Sequence, residues 1–248
     1  MRRDQLFHAV YQALDAERCG ICAQALNGVQ RFLDSFMYER VTDSWTREEF
    51  IRARGFCNTH AWQLARGLTN ASGLTILYHH LLHDFVEAYR RMVAAAPVSP
   101  AGRSMAALFG GRPEPRAREI GDWLAPRASC PACADQRETE SRYAWAAAHA
   151  LSDPDFRARY ETSLGFCLRH LTKVLELATS APDVEWLTAA EQRIAESLLQ
   201  DLSEFWRKHD YRFHHEPIST GEATSWTRVL HKWTGAPGLV WPEQAPRG

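Results

Sequence analysis

The sequence predicts an all-α protein, a duplicated helical bundle of two pseudo-symmetric units, each tied by a Cys3His metal site. Three observations carry this expectation. Apolar residues recur at spacings of three and four along most of the chain, and alternating strand patterns are nearly absent. Helix punctuation is explicit: Asp153-Pro154, Thr46-Arg-Glu-Glu49 and Thr188-Ala-Ala-Glu191 all read as helix starts. Finally, all six cysteines fall into two copies of one pattern. Cys19-Gly-Ile-Cys22 is followed by Gly55-Phe-Cys57-Asn-Thr-His60, and Cys130-Pro-Ala-Cys133 by Gly165-Phe-Cys167-Leu-Arg-His170.

The elements follow in order. Leu6, Phe7, Val10 and Leu14 form the apolar stripe of a first helix ending before Cys19, and Leu26, Val29, Phe32, Leu33 and Phe36 carry a second from about Cys22 to Arg40. The capping box starts a short helix at Thr46 that stops at Gly55, and Cys57 opens the next. Asn70 or Ser72 caps a long helix to about Val93, with Leu74, Leu77, Leu81, Leu82, Phe85 and Tyr89 facing inward. The second half replays this order, and the box at Thr188 opens its long helix. A last helix, about Glu222 to Thr234, ends at Gly235, with Trp226 and Trp233 packed back on the body. The organisation expected is therefore a metal-binding repeat over residues 1–95, a Pro/Gly-rich linker over 96–117, a second repeat over 118–213 and a C-terminal helix and tail over 214–248.

Three thiolates and one imidazole are the ligand set of a closed tetrahedral zinc site or of an iron–sulfur cluster. Read copy by copy, Cys19, Cys22, Cys57 and His60 hold one ion, and Cys130, Cys133, Cys167 and His170 hold another. Two zinc ions in a structural role are expected, with two iron–sulfur clusters in a redox protein or metalloenzyme as the alternative. Disulfides are disfavoured, because no export signal is visible and each third cysteine is paired with a histidine. Arg54, Arg169 or Lys173 would offset the excess negative charge of the thiolates.

The 29 Lys and Arg against 30 Asp and Glu give no field that would attract nucleic acid or an anionic membrane. Nor is there a continuous apolar run of spanning length, so the expectation is a cytoplasmic protein with a protein as its partner. Trp45, Trp62, Trp123, Trp145 and Trp206 read as core or metal-site lining rather than as base-stacking platforms. The dense His209-Asp-Tyr-Arg-Phe-His-His-Glu216 segment reads as a hydrogen-bonded plug for the tail.

The C-x-x-C and Gly-Phe-Cys-x-x-His motifs, with Lys208-His-Asp-Tyr-Arg-Phe213, Glu216-Pro217 and Ser225-Trp226, resemble an uncharacterised prokaryotic family, DUF6062. That resemblance covers most of the chain. It implies that both Cys/His sets and the Asp-Tyr-Arg segment belong to the family pattern, and it implies no activity. The absence of a recognisable catalytic motif points to a scaffold or interaction module rather than an enzyme.

Overall fold

In a computed structural model, residues 5–15, 17–40, 43–67, 71–94 and 115–241 are described. The protein is all-α, 77% helical, with eleven α-helices and no strand among the described residues. None of these helices is long and apolar enough to cross a membrane. Residues 96–114 of the expected linker, and Asn70, lie outside the described residues.

α1 (Gln5–Ala13) buries Phe7 and Val10, with Leu14 just beyond. α2 (Gly20–Ser35) buries Ile21, Cys22, Ala25, Val29 and Leu33, the spacing of one helix face. The pattern continues to Arg40, but the backbone widens into a π-helical turn over Phe36–Arg40. Phe36 at its start packs on Phe50 and Phe56. α3 (Ser44–Arg52) starts two residues before the expected Thr46: the Asp43 carboxylate accepts from the Thr46 amide and supplies the cap. α4 (Asn58–Gly67) follows Cys57, and α5 (Ser72–Ala94) starts at the expected serine. Only Leu77 of the α5 stripe is fully buried, while Leu82, Phe85 and Tyr89, expected inside, are exposed.

α6 (Pro115–Leu124) starts inside the segment read as linker. α7 (Pro131–Ala150) follows Cys130, and α8 (Pro154–Glu161) is capped by Asp153 with proline at its first position, as expected. α9 (Leu168–Leu177) starts after Cys167. α10 (Ala181–Lys208) begins seven residues before Thr188, because Pro182 suits a first turn and Thr188 instead returns its hydroxyl to the Val184 carbonyl. α11 (Thr220–Thr234) carries a complete capping box between Ser219 and Glu222 and ends at Gly235.

The chain forms two compact units, one from residues 1–31 and 135–248 and the other from 32–134. The core of the first packs Phe7, Val10 and Leu14 with Tyr143, Ala147, Leu151, Phe156, Tyr160, Phe166, Val174 and Leu187. Residues from the beginning of the chain are thus enclosed by the second half. The second unit centres on Phe36, Phe50, Phe56 and Tyr78.

The tryptophans correct the expectation. Trp45, Trp62, Trp145 and Trp206 are exposed, as are Trp226 and Trp233. Trp241, beyond the last helix, is the one that packs back: its ring lies 4.3 Å from the Arg169 guanidinium and its indole N–H donates to the Thr234 carbonyl at 2.8 Å. The His209–Glu216 segment docks through residues preceding it. Arg207 pairs with Glu204 and Glu216, and Lys208 with Glu222 at 2.7 Å, whereas Asp210 and Arg212 pair with one another at the surface.

Candidate metal centres

Each ligand pair sits where a helix begins. Cys19 and Cys22 span the entry of α2, Cys130 and Cys133 that of α7, Cys57 and His60 that of α4, and Cys167 and His170 that of α9. All four entries use the same first-turn bond, to the carbonyls of Cys19, Cys57, Cys130 and Cys167 from the amide four residues on. Two residues three apart in a first turn point the same way, and the dipole there favours thiolate over thiol. Before each Gly-Phe-Cys sequence the chain must turn sharply, and Gly55 (φ 88°) and Gly165 (φ 69°) supply the left-handed backbone.

The groups formed are Cys19, Cys22, Cys167 and His170, and Cys57, His60, Cys130 and Cys133. This corrects the copy-by-copy pairing: each C-x-x-C meets the Cys-x-x-His of the other half. Both sets offer the same ligands, so spacing along the chain could not choose between partners. Packing chooses, because the first turn of α2 lies in the same apolar core as Phe166, Cys167 and Val174.

In the first group the sulfurs of Cys22 and Cys167 are 3.7 Å apart, and His170 Nδ1 lies 3.5, 3.4 and 3.3 Å from the sulfurs of Cys19, Cys22 and Cys167. In the second, the Cys57 and Cys133 sulfurs are 3.6 Å apart, and His60 Nδ1 is 3.4, 3.6 and 3.4 Å from those of Cys57, Cys130 and Cys133. Within each group all ligand atoms lie within 4.8 Å of one another.

Within each C-x-x-C pair the charge is divided between the two sulfurs. Hydrogen bonding with Cys133, against the cost of burial, lowers the Cys130 thiol to about 4, while the same bond and burial push Cys133 up. Burial opposes ionisation of Cys19, yet Cys167, Cys22 and His170 hold it well below the ordinary thiol range, and Cys22 is raised by its bonds to Cys167 and Cys19. Cys22 and Cys133 therefore keep their protons beside an ionised neighbour, and a dication bound at either group would displace that proton.

The surroundings of the two groups differ. Behind His170 stands Glu140, fully buried, its carboxylate 3.8 Å from Nε2. Burial works against its charge, but His170, Lys173 at 2.7 Å and Gln136 at 2.7 Å keep it ionised, with a pKa lowered to about 2. Lys173 and Arg169 therefore act through Glu140, the latter at 4.0 Å. Gly235 completes the enclosure: a Cβ there would stand 2.6 Å from the Trp241 ring and 3.4 Å from the Cys22 sulfur. His60 is equally buried and its Nε2, like that of His170, has no hydrogen-bond partner among the described residues, but no carboxylate there pairs with it as Glu140 does with His170. Arg54, three residues before Cys57, stacks on Trp123 at 4.3 Å and donates to its carbonyl, tying the approach to Cys57 to the approach to Cys130.

The family model that spans residues 7–237 is described as a family of unknown function, DUF6062. The chain belongs to this family. It is also similar to an uncharacterized 23.9 kDa protein in the xynA 3′ region of Caldicellulosiruptor sp. (strain Rt8B.4), 24% identical over 212 residues, covering 85% of this chain and 91% of that protein. No solved structure matches the chain.

Two groups of residues in this family member escaped the sequence reading. Gln136 and Glu140 are four apart on α7 and look like any solvated helix face; only folding shows them buried beside His170. The other is Glu191, whose carboxylate accepts from the Phe166 amide at 2.9 Å, from the Tyr160 hydroxyl and from Lys232, which also donates to the Leu164 carbonyl at 3.0 Å. This network fixes the loop that delivers Cys167. In the sequence Glu191 reads as the end of the Thr188 capping box, and nothing local relates it to Lys232, 41 residues on. Replacing Lys232→Met leaves a buried carboxylate without its cation and should cost about 3–5 kcal/mol in denaturant unfolding. A loss below about 1 kcal/mol, the size of an exposed pair, would show that the network does not hold the loop.

Proposed function

We propose that the protein is a helical scaffold that carries two structural zinc ions and serves as an interaction or regulatory module. The observation that carries the zinc assignment is the spacing of the ligand atoms. Around one ion with Zn–S of about 2.3 Å and Zn–N of about 2.0 Å, tetrahedral angles put neighbouring ligand atoms roughly 3.5–3.8 Å apart. The sulfur–sulfur distances of 3.6 and 3.7 Å and the sulfur–nitrogen distances of 3.3–3.6 Å fit that arrangement. An iron–sulfur cluster divides its four protein ligands between two irons or among four, so ligands on different irons need a wider opening than groups whose ligand atoms all lie within 4.8 Å of one another. Four protein ligands per ion leave no open position for a substrate, which is the pattern of a structural rather than a catalytic site.

The interaction role rests on what the metal-tied framework displays. Trp226, Leu230 and Trp233 recur at four and three residues along α11 and are all exposed, an apolar stripe of the kind that partner proteins cover. The matching offsets of the two Cys/His sets support an origin by duplication, with the ligand pairs exchanged between halves. Elemental analysis of protein purified without added metal should give about two zinc equivalents, one for each four-ligand set. A coloured preparation absorbing at about 400 nm and carrying iron with sulfide would contradict the zinc assignment.

A further inference from the structure

The two groups share a ligand set but not an environment. Cys19, Cys22, Cys167 and His170 are all at most 1% exposed, and the buried Glu140 backs the histidine. In the other group Cys130 and Cys133 keep 9% and 8% of their surface, and Cys57 is partly exposed. The Nε2 of neither histidine makes a hydrogen bond, but that of His170 has a carboxylate 3.8 Å away, and no such ion pair backs His60 among the described residues. A carboxylate behind a ligating histidine favours its ring orientation and basicity, and losing such an outer group typically costs 10–100-fold in metal affinity. Beside the Cys57 loop lies an open cavity of about 330 Å³ lined by Arg54, Tyr78, Leu81, Leu82, Phe85 and Trp123 among others. Its Tyr78 hydroxyl would stand 3.3 Å from a Cβ on Gly55, two residues before Cys57.

We infer that Cys57 is an oxidation site, at which hydrogen peroxide converts the Cys57/His60/Cys130/Cys133 group from a metal site into a disulfide while the other group keeps its ion. The inference rests on the zinc reading and assigns a regulation to one of the two sites. The Cys57 thiolate attacks the peroxide O–O bond, forming the sulfenic acid and releasing hydroxide, which takes a proton to become water. The Cys133 sulfur, 3.6 Å from that of Cys57, then attacks the sulfenyl sulfur. A Cys57–Cys133 bond forms and a second hydroxide leaves, again protonated to water. Two thiolates have lost two electrons, one peroxide has been reduced to two waters, and the ion, left with Cys130 and His60, dissociates. Reduction by a dithiol returns both thiolates and restores the site when zinc is present.

The experiment follows zinc release with a chromogenic chelator after hydrogen peroxide is added to the full chain, whose zinc content is measured beforehand. Two phases of one equivalent each are expected, the first about tenfold or more faster than the second. Peptide mapping after the first phase should find Cys57 joined to Cys133, with Cys19, Cys22 and Cys167 still reduced, and dithiothreitol with zinc should reverse it. Release of both equivalents at one rate, earlier oxidation of Cys22 or Cys167, or an unmodified Cys57 after the first phase would each overturn the inference while leaving the zinc reading intact. A starting preparation without two zinc equivalents would overturn the zinc reading and this inference with it.

Discussion

The double variant Cys22→Ser with Cys57→Ser should bind no zinc at full affinity, whereas Cys22→Ser with Cys167→Ser should retain one equivalent. The difference follows from the exchanged partition. Cys22 and Cys167 serve the same ion, so removing both damages one site once; Cys22 and Cys57 serve different ions, so removing both damages each. Copy-internal sites would give the reverse result, one equivalent for the first variant and none for the second. Competition against a chelator of known affinity measures the outcome, because a serine in place of a thiolate leaves a three-ligand set that the chelator strips. The retained ion in the second variant should depend on Cys130, Cys133 and His60. Equal stoichiometries in the two variants would mean that the groups seen in the fold are not the groups that bind.

Exhaustive chelation should abolish cooperative unfolding of the chain at 25 °C. Each ion would join chain segments far apart in sequence: the Cys22 and Cys167 sulfurs are separated by 145 residues and those of Cys57 and Cys133 by 76. Loops of that length are costly to close, and apparent zinc binding energies of about 10–16 kcal/mol per structural site are comparable to the entire stability of an ordinary domain, about 5–15 kcal/mol. Without the ions, three sulfurs and an imidazole are left converging in an apolar core, where Cys19, Cys22 and Cys167 are part of the packing. Circular dichroism and thermal melting before and after chelation test this. A metal-free chain with unchanged helicity and a melting temperature within a few degrees would show that the ions are not folding elements, and would shift attention to reactive chemistry at the same ligands.

The sequence by itself determined the helical class, most helix starts, and the eight Cys and His residues as two sets of one type, because these are local properties. A 3.6-residue period, a capping aspartate and a Cys three residues from a Cys or His are all visible within one or two turns. Locality also explains the misplaced starts at Thr46 and Thr188, where the motif was present but Asp43 and Ser180-Ala-Pro182 had already begun the helix. The tertiary structure alone decided which C-x-x-C meets which Cys-x-x-His, since two identical ligand sets leave the choice to the burial of Phe7, Val10 and Cys22 among Phe156, Phe166 and Val174. It also decided that Trp241 rather than Trp226 or Trp233 packs inward. And it set the two sites apart, one backed by a buried carboxylate and fully enclosed, the other bare behind its histidine and open at Cys57, because burial and the pairing of remote charges are sums over the whole fold that no window of sequence contains.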